Sequence, residues 1–157
     1  MQSDQAGQGA CRGPGGPPRK VYHTASEEET IVLGQRIARE LPSRRVVLLI
    51  GNLGAGKTTL AKGIVSGLGA APPEEVSSPT FTLIHEYGTE GRAYHVDLYR
   101  LDEPHEVANL GLEELFEREA IVLIEWGERF PNLLPAVRTE IRICVSRGEE
   151  REIEVQL

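Results

Sequence analysis

Hydrophobic and polar positions along this chain follow two periods, and the changes between them mark its elements. Leu33, Ile37 and Leu41 recur at i, i+4 and i+8, one face of a helix. Ser26 with Glu29 three residues on forms a capping box, and Pro42 stops the turn, so the helix runs from 26 to about 41. The apolar run Val46-Val47-Leu48-Leu49-Ile50 predicts a strand. A helical stretch then extends to Leu68, where Gly69 and Pro72-Pro73 break the chain. Residues 81–87 and 92–99 read as two strands of a hairpin joined by Gly88-Thr89-Glu90-Gly91. Residues 104–117 predict one or two short helices around Gly111. Residues 120–124 are continuously apolar, the pattern of a strand buried on both faces. Residues 138–145 and 151–157 alternate around Gly148-Glu149, a closing antiparallel pair. The fold class is α/β, with a central mixed sheet flanked by helices. No internal repeat is present.

Residues 1–20, rich in Gly, Pro and Gln, lack the apolar side chains to offset the entropy of ordering and are expected to be a disordered tail. Residues 21–157 then form a single domain. The longest apolar run is far short of a membrane span. A net charge of −7 argues against a broad basic face for nucleic acid. The two cysteines, Cys11 and Cys144, read as reduced thiols of a cytoplasmic protein, with no Cys/His spacing for zinc.

The chemistry begins at Gly51-Asn52-Leu53-Gly54-Ala55-Gly56-Lys57-Thr58, a full match to G-x-x-x-x-G-K-[ST] between a strand and a helix. This is a P-loop. Its glycines let several N–H groups turn toward one phosphate, and the next helix adds its positive end. Asn52, Leu53, Gly54, Ala55, Gly56, Lys57, Thr58 and Thr59 form the expected phosphate-binding set. Lys57 reaches the β- and γ-phosphates, and the Thr58 hydroxyl is a ligand for Mg²⁺.

A P-loop needs a carboxylate at the end of a neighbouring buried strand to hold Mg²⁺ through water. Glu125 follows Ile121-Val122-Leu123-Ile124, and Asp97 lies in Tyr94-His95-Val96-Asp97-Leu98-Tyr99. Both surroundings are too apolar for an idle charge. The alternative for each is a structural ion pair with Arg100 or Arg129. No Asn-Lys-x-Asp base reader of regulatory GTPases and no Leu-Ser-Gly-Gly-Gln signature of transporters occurs. A small-molecule kinase fits the length but would need an arginine-rich lid. A nucleotide-dependent binding module without a required hydrolysis step is the other alternative. His85 and His95 read as strand histidines, at the sheet surface or satisfied in the core, rather than as a catalytic pair.

Four blocks, in order, carry a family resemblance: 51–60 (GNLGAGKTTL), 78–87 (SPTFTLIHEY), 94–101 (YHVDLYRL) and 123–126 (LIEW). Over roughly residues 24–157 the chain resembles TsaE, the bacterial P-loop ATPase needed for threonylcarbamoyladenosine formation in tRNA. The resemblance implies ATP as the nucleotide, with Mg²⁺, and hydrolysis that is slow without partners. The implied partners are TsaD and TsaB, with tRNA met only indirectly, at adenosine 37. Ser78-Pro79-Thr80-Phe81-Thr82 is implied to act like a switch loop, with Thr80 and Thr82 as candidate sensors and Thr80 preferred. Asp97 and Glu125 are implied to be needed for hydrolysis, Glu125 as the Mg²⁺-water ligand and Asp97 as orienter of water or switch. Trp126 either packs near the nucleotide or a partner, or is an ordinary core residue.

Overall fold

The computed structural model describes residues 19–89 and 92–157. The expected tail therefore lies almost wholly outside the described residues. Seven strands form one mixed sheet in the order β1-β7-β6-β2-β5-β4-β3. In chain order the strands are β1 (Lys20–Thr24), β2 (Arg45–Ile50), β3 (Ile84–Tyr87), β4 (Ala93–Asp97), β5 (Ile121–Glu125), β6 (Thr139–Arg147) and β7 (Glu150–Gln156). The helices are α1 (Glu27–Glu40), α2 (Lys57–Gly67), α3 (Pro104–Ala108) and α4 (Leu112–Phe116).

The centre of the sheet is parallel: β2 lies between β5 and β6, and β4 runs beside β5. Alternate residues of these strands serve opposite faces. Val47, Leu49, Leu123 and Ile141 pack with Leu33 and Ile37 of α1 and Leu60 and Ile64 of α2. Val46, Leu48, Val122 and Ile124 face the other layer, with Val107 of α3 and Leu112 of α4. Both faces of β2 and β5 are covered, which is why their sequences are apolar without alternation.

Helices α1 and α2 touch backbone to backbone. A Cβ on Gly63 would stand 2.2 Å from the Ile31 carbonyl oxygen, and one on Gly34 would stand 2.6 Å from that of Leu60. The Ser26 hydroxyl caps α1 by accepting from the Glu29 N–H at 3.2 Å, as its sequence predicts. The return bond differs by one residue, because the Glu29 carboxylate accepts from the Ala25 N–H at 3.1 Å.

Three sequence expectations change. Strand β1 was not foreseen, since an edge strand paired only to β7 has no strong apolar signal of its own. The strand expected over 81–87 shrinks to β3. The Leu83 N–H bonds to the Pro79 carbonyl at 2.6 Å and Leu83 sits at φ 72°, so the chain turns before it can extend. Cys144 is disulfide-bonded rather than a reduced thiol, and the expectation for Cys11 lies outside the described residues. Spacing along a chain carries no distance between two cysteines in space.

Candidate functional site

Strands β2, β5 and β4 are adjacent and parallel, so their carboxyl ends meet at one edge. Leu49 of β2 is in register with Glu125 of β5, and Glu125 with Asp97 of β4. The sheet thereby brings the P-loop and both carboxylates together, although each stands at the end of an unremarkable apolar run. Ligands in open α/β sheets occupy this edge.

In the loop, Gly54 (φ 80°) and Gly56 (φ 110°) take left-handed backbone that a Cβ would strain. Gly56 leads straight into α2 with no side chain capping its first turn. Those first N–H groups are donors suited to an anion. The Arg151 Nε of β7 braces the loop by donating to the Ala55 carbonyl at 2.8 Å.

Lys57 is almost wholly buried. Its ammonium donates to the Gly51 carbonyl at 2.7 Å and lies 3.6 Å from the centre of the Trp126 ring. Burial pushes its pKa below the ordinary lysine value, while the charges of Glu125, Glu128 and Asp97 oppose that shift. Trp126 is thus a wall of the site rather than an ordinary core residue. It holds a left-handed backbone at φ 65°, at a cost of roughly 1–3 kcal/mol, and its ring lies 5.2 Å from that of Tyr99.

The Thr58 hydroxyl donates to Glu125 Oε2 at 3.1 Å, and His95 Nε2 lies 2.6 Å from the same oxygen. Asp97 Oδ2 accepts from the Thr80 hydroxyl at 3.0 Å and the Ser78 hydroxyl at 3.2 Å, while Oδ1 accepts from the Tyr99 N–H at 2.9 Å. The switch-like segment is therefore tied to Asp97 through Thr80. Thr82 is exposed and lies before β3 rather than at its start. The arginines weighed as ion-pair partners of the carboxylates do something else. Arg129 donates to the carbonyls of Leu98, Tyr99 and Leu101, and Arg100 to that of Phe81.

Leu53, Gly54, Gly56, Lys57, Thr58, Thr59, Ser78, Thr80, Asp97, Tyr99, Glu125 and Trp126 line one cavity of about 260 Å³. Every candidate catalytic and metal-ligating residue read from the sequence is among them. Of the phosphate-binding set, Asn52 and Ala55 instead face a neighbouring cavity on the other side of the loop, with Glu128 and Arg142. Thr58 and Glu125 together offer oxygen donors suited to a hard cation such as Mg²⁺. Among the described residues no group of three His, Cys, Asp or Glu side chains is placed to hold a metal ion. A cation here would draw its remaining ligands from phosphate and water.

Sequence reasoning missed a second cavity, of about 360 Å³, which shares Gly54, Gly56 and Thr59 with the first. Its other walls are Ser26, Glu27, Glu28 and Thr30 of the α1 start, and Glu149 and Arg151 of the β6–β7 hairpin. No local motif joins three segments so far apart in the chain. It also missed Glu128. Burial raises the Glu128 pKa, and the nearby charges of Lys57, Arg129 and Arg142 oppose this.

The family model described as Threonylcarbamoyl adenosine biosynthesis protein TsaE matches residues 24–153. The chain belongs to the TsaE family. It is 45% identical over 139 residues to a tRNA threonylcarbamoyladenosine biosynthesis protein TsaE from Nostoc sp., covering 85% of this chain and 82% of that one. To the protein of the same name from Bacillus subtilis it is 40% identical, covering 84% and 82%. The TsaE match takes in the P-loop, the switch-like segment and both carboxylates. The crystal structure of Bacillus subtilis YdiB superposes with a TM-score of 0.72 at 33% identity, over 90% of this chain and 87% of that one. Among the described residues no helix is long and apolar enough to cross a membrane.

Proposed function

We propose that this chain is a Mg²⁺-dependent ATPase of tRNA threonylcarbamoyladenosine biosynthesis that binds a TsaB–TsaD complex and supports its turnover. The observation that carries this reading is the convergence of Lys57, Thr58, Thr80, Asp97 and Glu125 on one cavity against the P-loop. Membership of the TsaE family supports the pathway.

In this reading the phosphates lie along the curled loop and the first turn of α2, with Lys57 adding a positive charge at the β- and γ-phosphates. The second cavity, which shares Gly54, Gly56 and Thr59 with the first, would take the nucleoside against its polar walls. Thr58 and Glu125 would hold Mg²⁺, Glu125 through water, and the ion when bound would neutralise charge on the β- and γ-phosphates. Asp97, tied to Thr80, orients the attacking water or the switch-like segment. Most of the rate enhancement is then positioning and charge stabilisation. A partner completes the site, so hydrolysis by the chain alone is slow.

The test is phosphate release from ATP, alone and with purified TsaB–TsaD, with Lys57→Ala as the blank. Stimulation by the pair that vanishes in the variant is expected. An unchanged rate would remove the partner step, and transfer of phosphate to a small-molecule acceptor would make the protein a kinase.

A further inference from the structure

His95 lies on β4 with no exposed surface, one alternation before Asp97 and on the same face of the strand. Its Nε2 is 2.6 Å from Glu125 Oε2. Its Nδ1 is buried and takes no hydrogen bond. That asymmetry settles where the ring proton belongs. A proton on Nδ1 alone would be stranded in a dry site and would turn a bare Nε2 lone pair toward a carboxylate oxygen. With the proton on Nε2, one short bond gives the ring N–H and the Glu125 oxygen a partner, and only an acceptor lone pair is left bare at Nδ1.

The same oxygen, Oε2, also accepts from the Thr58 hydroxyl. Two donors on one oxygen, from β4 and from α2, fix the rotation of the Glu125 carboxylate. Oε1 takes no hydrogen bond among the described residues, while Glu125 lines the P-loop cavity. We propose that His95 is a positioning residue: by donating Nε2–H to Glu125 Oε2 it holds that carboxylate turned so that Oε1 serves the hydrated cation of the nucleotide. This rests on the reading of Glu125 as a metal-water ligand. Loss of an outer hydrogen-bond partner of a metal site typically lowers metal affinity by roughly 10–100-fold.

Two measurements test it. The first uses the unaltered chain, labelled with ¹⁵N, and reads the ring nitrogens of its four histidines through their carbon-bound protons. A His95 ring with the proton on Nε2 is expected; a proton on Nδ1 with Nε2 bare would overturn the proposal. The second compares ADP affinity in EDTA and in Mg²⁺ for the wild type, His95→Phe and His95→Gln, each checked by thermal melting. Affinity in EDTA should be the same for all three. The gain on adding Mg²⁺ should fall at least tenfold in His95→Phe and stay within about threefold of wild type in His95→Gln, whose amide can still donate. A folded His95→Phe with the full Mg²⁺ gain would make His95 a core residue only. Loss of the gain in His95→Gln would equally defeat the hydrogen-bond argument. If the wild type itself shows no Mg²⁺ gain, the metal role of Glu125 fails first and the proposal falls with it. The two failures are thus told apart by the wild-type titration.

Discussion

The Thr58 hydroxyl of α2 and the Glu125 carboxylate of β5 are joined by a 3.1 Å hydrogen bond across 67 residues of sequence. One end of that bond belongs to the P-loop and the other to the strand beside it, so in the proposed function nucleotide and cation chemistry would be coupled at a single point. Replacing Glu125 by Gln keeps the shape and one acceptor but removes the charge. We expect nucleotide affinity to change by no more than a few-fold, while phosphate release falls by about 100-fold or more. Normal hydrolysis by Glu125→Gln, measured by phosphate release, would transfer the metal-water role elsewhere.

Thr80 and Thr82 look equivalent in the sequence and are not equivalent in the structure. Of the two, the Thr80 hydroxyl reaches Asp97, alongside that of Ser78, and Thr82 does not. Thr80→Val removes a bond to a charged acceptor, so hydrolysis should drop roughly tenfold or more, the equivalent of ~1.4 kcal/mol or above. Thr82→Val should stay near the wild-type rate. Equal losses from both would mean that the segment acts as a unit and not through the Thr80–Asp97 bond.

Trp126 is the chain's one tryptophan, and the Lys57 ammonium lies over its ring at 3.6 Å. Nucleotide phosphates would draw Lys57 away from the ring and change the surroundings of the indole. Tryptophan emission should therefore respond to ADP or ATP in a saturable way, and Lys57→Ala should lose the response. Fluorescence that ignores nucleotide in a protein shown by calorimetry to bind it would mean that Lys57 stays on the ring.

The α1–α2 packing gives a prediction for stability alone. A methyl group on Gly63 would overlap the Ile31 carbonyl, which is backbone and cannot turn aside. Gly63→Ala should destabilise the fold by about 2 kcal/mol or more through forced separation of the helices. The better helix propensity of alanine offsets only part of this. Chemical denaturation reads the difference, and an unchanged midpoint would show that the helices part freely.

Glu128 supplies a pH dependence. Burial raises its pKa in the folded chain, and its Oε1 is buried without a partner. The folded state therefore retains a proton that the unfolded state has already released, and stability falls as pH rises from the ordinary glutamate value through the folded one. Above the folded value the cost is fully present. Glu128→Gln should raise the melting temperature at pH 7–8, with the gain disappearing on acidification below the ordinary glutamate value. A gain that persists in acid would come from packing and not from charge.

How much of this was legible in the sequence follows from the range of each interaction. The cap at Ser26, the two left-handed glycines of the P-loop, the apolar runs of β2 and β5 and the final hairpin are local, because steric limits and neighbouring residues determine them. Periodicity therefore yielded the α/β class, and the motif yielded Lys57 and Thr58. The boundary at β3 was missed because Leu83 adopts a left-handed backbone that its residue type does not announce. Strand order was not local. It took the lateral pairing of β4, β5 and β2 to bring Asp97, Glu125 and the P-loop to one edge. The same pairing set His95 against Glu125 across 30 residues, while the turn before β3 put Thr80 rather than Thr82 on Asp97, and the α1 start, the P-loop and the β6–β7 hairpin enclosed the second cavity. The sequence by itself determined which chemical groups stand at the ends of elements, since those follow from motifs and local conformation. The tertiary structure alone decided which groups far apart in the chain share a hydrogen bond, because apolar strands are nearly interchangeable in pattern and only their packing in one sheet selects the neighbours.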